Sequence, residues 1–169
     1  LVPRGAGTGL AGESLGAGLV VDLSRYAFGP CELRGDRLLA PVAATLHDAN
    51  AFLARHGRRL PVDPANPATA TVGGLAATNA SGANAFKRGY ARDHLAGLRV
   101  VWDSGDAEDL GELSSGPRQS LRTTEVHAQT AGLIAAHREL IQLTRPLTRF
   151  NRCGYVLHDV LTPDGLDLV

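Results

Sequence analysis

Arg4-Gly5-Ala6-Gly7-Thr8-Gly9-Leu10-Ala11-Gly12 is the stretch that most limits what this chain can become. Four of its residues, Gly5, Gly7, Gly9 and Gly12, are glycines. Without Cβ atoms they let a bulky ligand approach the main chain and let successive N–H groups turn towards one point. Convergent backbone donors beside an arginine make a seat for an oxyanion, and the expectation is a phosphate or pyrophosphate. Gly7-x-Gly9-x-x-Gly12 also matches the dinucleotide fingerprint of doubly wound folds, but that fingerprint must open a helix. Glu13-Ser14-Leu15-Gly16-Ala17-Gly18 cannot sustain one and runs straight into the apolar Leu19-Val20-Val21. No Gly-Lys-Ser/Thr triplet follows, so a Walker-type loop fails as well.

A second tract repeats the theme. Thr69-Ala70-Thr71-Val72-Gly73-Gly74-Leu75-Ala76-Ala77-Thr78-Asn79-Ala80-Ser81-Gly82-Ala83-Asn84 is built almost wholly of small residues. A flexible linker or a helix packed closely on a sheet would explain it plainly. Against the linker, Val72 and Leu75 are apolar and the tract lies between structured segments. Two stretches suited to close backbone approach point to two walls of one ligand groove.

Around these tracts the pattern predicts short elements. Leu1-Val2 enters the first loop as a strand, Leu19–Leu23 forms a short, largely buried strand, and Arg37–Val42 another. Thr45–His56 reads as an amphipathic helix with Leu46, Ala49, Phe52 and Leu53 on one face and Gly57 at its C-terminal cap. Three prolines between Leu60 and Pro67 impose an extended loop. Leu98–Trp102, an Asp103–Asp106 turn and Glu108–Leu113 read as a hairpin, followed by a polar loop over Ser114–Ser120. Thr123–Thr144 reads as a single helix, and Asn151–Tyr155 as irregular.

Composition narrows the function classes. Lysine plus arginine equals aspartate plus glutamate, 17 each, in 169 residues. That removes the electrostatic case for nucleic acid or an anionic membrane as the main partner. No apolar run approaches the roughly 20 residues of a membrane span. Cys31 and Cys153 stand in no metal-ligand spacing and read as free thiols, and no metal site is expected. The chain has no methionine and begins inside a strand, so it is expected to be a segment of a longer protein. Leu-Val-Pro-Arg-Gly spells a protease site, but the loop continues from it without a seam, and coincidence is the preferred reading.

Taken together these motifs resemble the FAD-binding domain of the vanillyl-alcohol oxidase superfamily, the PCMH-type, FAD-linked oxidase group. Pro3 to Gly12 looks like its pyrophosphate loop, followed by a Val21-Asp22-Leu23-Ser24 strand. Asp63-Pro64, Thr71-Val72-Gly73-Gly74 and Asn79-Ala80-Ser81-Gly82 look like its second flavin-contacting segment, and Arg92-Asp93-His94 like the next block. Within the family the chain is most similar to FAD-linked dehydrogenases of 2-hydroxy acids, D-lactate dehydrogenase and the flavin subunit of glycolate oxidase. The resemblance implies an α+β, PCMH-type fold of two α/β subdomains with FAD between them, incomplete at both termini, over residues 1–169.

The roles that follow are those the resemblance implies. Gly5, Ala6, Gly7, Thr8 and Gly9 would hold the FAD pyrophosphate, with Arg4 ordering the loop. Pro64, Thr71, Gly73, Gly74, Thr78, Asn79, Ser81 and Gly82 would line the flavin side. A histidine stands at the place of Thr8 in relatives that bind FAD covalently, so a dissociable FAD is expected. The activity would be oxidation of a 2-hydroxy acid such as D-lactate or glycolate, with hydride passing from substrate Cα to flavin N5. The parent protein is placed in the cytoplasm, with an electron acceptor that could bring it to the membrane surface. Asn151-Arg152-Cys153-Gly154-Tyr155 is similar to relatives that carry an iron–sulfur domain further on.

No catalytic residue is nominated here, because the family's substrate-polarising histidines and metal site belong to a substrate domain outside this chain, and the chain alone is expected to be inactive. Arg92 and Asp93 are expected to pair, and His94 to be an Asp93-linked structural histidine. His47, His56 and His137 read as helix-face residues. The sequence departs from the family at Arg88-Gly89, where tyrosine–glycine is usual, and at Pro41-Val42-Ala43. The alternatives are a phosphate-binding module or remnant without catalysis, or a same-fold flavoenzyme acting on a sugar, an alcohol or a cell-wall precursor.

Overall fold

A computed structural model describes residues 1–26, 29–113, 120–148, 155–158, 160–162 and 165–167. The chain divides into two units, Leu1–His94 and Leu95–Val169. Short helices and two-stranded sheets alternate in both, an α+β composition as expected.

In the first unit, β1 (Val2–Arg4) pairs in parallel with β2 (Val20–Asp22), Val2 opposite Val20 and Arg4 opposite Asp22. Parallel neighbours need a crossover between them. Here the glycine loop is that crossover, and no helix forms in it. β2 corrects the expectation of burial: Leu19, Val20 and Val21 are all exposed. The predicted strand over Arg37–Val42 is shorter, β4 (Arg37–Leu39), and forms a hairpin with β3 (Glu32–Arg34).

Thr45 caps α1 (Leu46–Ala54), its hydroxyl accepting the Asp48 N–H at 3.0 Å. Such a cap contributes about 1 kcal/mol. Leu46, Ala49 and Leu53 bury the predicted face, and the helix ends with Arg58 N–H on the Leu53 carbonyl and Gly57 N–H on that of Ala54. The small-residue tract holds α2 (Val72–Ala77) and ends at Asn84, where α3 (Ala85–Arg88) begins, followed by a 3-10 turn at Ala91–His94. Leu46, Val62, Ala70, Leu75 and Ala91 form the core, with Leu60 and Ala80 packed on it. At roughly 25 cal/mol per Å² of apolar surface removed from water, Leu46 and Leu75 each contribute about 1.5–3 kcal/mol.

In the second unit, β5 (Gly97–Val101) and β6 (Ala107–Gly111) form the predicted hairpin, stapled across the strands by Arg99 and Asp109 through two 2.7 Å bonds. Ser120 caps α4 (Leu121–Ala136). The single predicted helix is in fact two, because His137 (φ −112°, ψ 16°) leaves helical geometry and α5 (Arg138–Leu143) starts anew. Periodicity alone could not see this break, since the apolar spacing runs through it. Two further strands, β7 (Leu161–Thr162) and β8 (Gly165–Leu166), pair antiparallel. Most of the predicted Ser114–Ser120 loop, and Asn151 to Gly154 with Cys153, lie outside the described residues. Among the described residues no helix is long and apolar enough to cross a membrane, and no group of His, Cys, Asp or Glu could hold a metal ion.

Candidate anion-binding site

The two small-residue tracts meet. A Cβ built on Gly5 would collide with Thr71 Oγ1, so the first loop rests directly on the start of the second tract. A short backbone ladder holds this second wall. Val72 N–H donates to the Ala44 carbonyl at 2.8 Å, Gly73 N–H to Val42 at 2.9 Å, and Leu46 N–H to Ala70 at 2.9 Å, around a Thr45–Thr71 bridge. Gly73 has no room for a side chain against Val42, which is why the turn at Val42 and the first turn of α2 can lie so close.

A cleft of about 350 Å³ opens between these walls, lined by Ala6, Thr8, Ser24, Thr45, Thr69 and Thr71. Five of the six bear hydroxyls, and none carries a charge. A wider cleft of about 580 Å³ shares Ser24 and includes Tyr26, Cys31, Pro41, Phe52 and Arg55. Burial pushes the Cys31 thiol up from its ordinary value, which leaves it a weak nucleophile.

Helix N-termini often bind anions, but here they are already satisfied. Leu46 and His47 donate to the Ala70 and Pro67 carbonyls, Asp48 to Thr45, and Gly74 to the Thr71 hydroxyl at 3.2 Å. The glycine loop is different. No hydrogen bond among the described residues engages the N–H groups of residues 5 to 9. Gly7 adopts φ +67°, a left-handed turn that bends this run of donors.

Arg4 completes the site. Its guanidinium packs against Gly7, 2.8 Å from where a Cβ would stand, and its Nε is buried with no hydrogen-bond partner among the described residues. A buried unpartnered donor of this kind costs about 1–3 kcal/mol unless something meets it. Opposite Arg4 in the sheet, Asp22 is held below the usual carboxylate range by hydrogen bonds from Ser24, hydroxyl first and backbone next, with Arg4 and Arg25 adding to the effect.

The structure therefore gathers Arg4, Gly5, Ala6, Gly7, Thr8, Gly9 and Thr71 at one place, with Gly73 and Gly74 in the turn behind them. The other predicted site residues are bonded or packed within the fold. Thr78 returns its hydroxyl to the Gly74 carbonyl at 2.8 Å. Asn79, at φ 45°, accepts the Arg92 N–H at 3.1 Å, and Ser81 is buried. Gly82 lies against the Asp63 backbone, and Pro64 is half-buried in the neighbouring loop. The expected Arg92–Asp93 pair does not form: Asp93 instead accepts the Tyr90 N–H at 2.7 Å. His94 is tied to the Arg88 carbonyl at 2.6 Å rather than to Asp93. Sequence reasoning missed Ser24, Thr45 and Thr69 as cleft residues. Each lay in a segment already singled out, but only the fold turns their hydroxyls to one cleft.

The matching family model is described as an FAD binding domain and covers residues 1–111. A D-2-hydroxyglutarate dehydrogenase of Pseudomonas putida is 36% identical over 98% of this chain and 17% of its own length. One from Pantoea ananatis is 33% identical over 96% of this chain and 16% of its own. A D-lactate dehydrogenase of Archaeoglobus fulgidus is 36% identical over 64% of the chain and 25% of its own. The chain thus spans about a sixth of the first two relatives. No solved structure matches it.

Proposed function

The chain belongs to the FAD-binding-domain family, and from that premise we propose that it is the FAD-holding part of a flavin-dependent dehydrogenase of 2-hydroxy acids. The contact between Gly5 and Thr71 carries the reading, because it joins both small-residue tracts into one seat. The residues present fit the cofactor. A dinucleotide pyrophosphate needs convergent donors, and the free N–H groups of residues 5 to 9 supply them with the unpartnered Arg4 Nε. The hydroxyls of Thr8, Ser24, Thr45, Thr69 and Thr71 offer neutral hydrogen bonds along the same cleft.

Bound FAD supplies the electron acceptor for oxidising a 2-hydroxy acid to the corresponding 2-oxo acid. The residues of this chain bind and orient it. Gly5 admits the close approach, the Arg4 guanidinium lies against Gly7 of the same loop, and α2, anchored by Thr71, backs the cleft. We assign no proton-moving residue here, since no titratable side chain lines the hydroxyl cleft. Thr8 at the loop's crest offers no imidazole for a flavin bond, which supports a dissociable cofactor. The names of the relatives favour D-2-hydroxyglutarate or D-lactate as the substrate of the whole protein. An iron–sulfur centre, where present, would lie outside this chain.

The purified chain, mixed with FAD and freed of excess by gel filtration, tests this. Retained flavin absorption, released as unmodified FAD on acid denaturation, supports the proposal. A colourless protein that takes up no added FAD contradicts it, and flavin that stays with the precipitate contradicts dissociable binding.

A further inference from the structure

The anion seat has an anion of its own beside it. After Gly9 the chain reverses through Gly12 (φ +81°), where the Leu15 N–H closes a turn on the Gly12 carbonyl at 2.9 Å. This brings the Glu13 carboxylate back onto Gly9, where a Cβ would run into Oε2 and come within 3.0 Å of Cδ. Among the described residues the N–H of Gly9, like those before it, has no hydrogen-bond partner. Among the described residues no ion pair reaches Glu13. The Arg4 guanidinium lies against Gly7.

We propose that the Glu13 carboxylate, held beside Gly9, opposes phosphate-bearing ligands at this loop by its charge, and that it turns towards solvent as such a ligand seats. This rests on the assignment of FAD to the loop but adds a control that the assignment does not require. A carboxylate and a phosphate a few ångströms apart repel, and more strongly near a protein surface than in bulk water. Glu13 lowers affinity unless it swings into solvent, which its exposure allows.

The test is titration of the whole chain with FAD and, separately, with ADP, using wild type, Glu13→Gln and Glu13→Asp. Flavin fluorescence reads FAD binding and calorimetry reads ADP. Glu13→Gln should bind both about tenfold more tightly at low salt, and that advantage should shrink as salt rises and screens the repulsion. Glu13→Asp keeps the charge on a shorter arm and should fall between the two. Equal FAD affinity in wild type and Glu13→Gln, or weaker binding by Glu13→Gln, overturns the role of Glu13 while the FAD reading stands. No binding by any of the three overturns both.

Discussion

The hydroxyl of Thr71 stands where a side chain on Gly5 would have to go. One residue belongs to the first loop and the other caps α2, so this contact sets the distance between the walls of the cleft. Gly5→Ala should force them apart, lower stability by about 1–3 kcal/mol and weaken FAD binding. Thr71→Ala removes the α2 cap at a cost of about 1 kcal/mol but also removes the obstruction. The double variant should therefore be more stable than the sum of the two changes predicts, a coupling that urea denaturation of the four proteins measures.

Arg4 offers a second test. Its buried Nε has no partner within the described residues, and a charge-assisted bond there is worth about 1.5–3 kcal/mol. Arg4→Ala should weaken FAD binding by about ten- to a hundredfold by the same principle. Arg4→Lys keeps the charge but loses the planar fork, and should recover only part of the affinity in a fluorescence titration.

Two glycines should respond in opposite directions. A Cβ on Gly82 would run into the backbone carbonyl of Asp63, which cannot step aside like a flexible side chain. Gly82→Ala should cost at least about 1–3 kcal/mol. Gly132, within α4, has open space around its missing Cβ. Gly132→Ala should stabilise the chain by up to about 1 kcal/mol through helix propensity. Thermal melts of the two variants give the comparison.

Acid should loosen the second unit. Hydrogen bonds from Arg122, Thr123 and Arg99 hold Asp103, Glu108 and Asp109 respectively below their ordinary carboxylate range. Lowered folded-state values mean that this stability is fully present above about pH 4, where the unfolded groups ionise, and is lost as pH falls through the folded values. Glu108 also binds the first turn of α4 through Thr123 and the Ser120 N–H. Denaturation measured from pH 6 downwards should show a shallower acid decline in Glu108→Gln than in wild type. Arg99 and Asp103 are well exposed, so salt should shrink the contribution of their pairs.

The local elements were largely legible in the sequence. The apolar spacing with Thr45 and Gly57 at its ends located α1, and strand periodicity around the Asp103–Asp106 turn located the β5–β6 hairpin. That no helix follows the glycine loop was also readable, because Gly16 and Gly18 disfavour one, whereas its role as a crossover between parallel strands came only with the fold. What sequence could not give were relationships set by tertiary packing. Val20 and Val21 look like core residues but lie exposed, and the regular leucine spacing hides the break at His137. The site divided along the same line. The loop residues announced themselves by composition, whereas Ser24, Thr45 and Thr69 join them only once β2, α1 and the second tract converge. Asn79, Ser81 and Gly82 share that composition, but their backbone and side chains serve the fold.

The most direct measurement follows the backbone amides of the isotopically labelled chain while FAD is added. If the free donors of the loop seat the pyrophosphate, the amide resonances of residues 5 to 9 shift strongly. Those of Leu46, His47, Val72 and Gly73, already bonded to carbonyls, should move far less. Large shifts at the helix N-termini with an unmoved glycine loop, or no shifts at saturating FAD, would contradict the account.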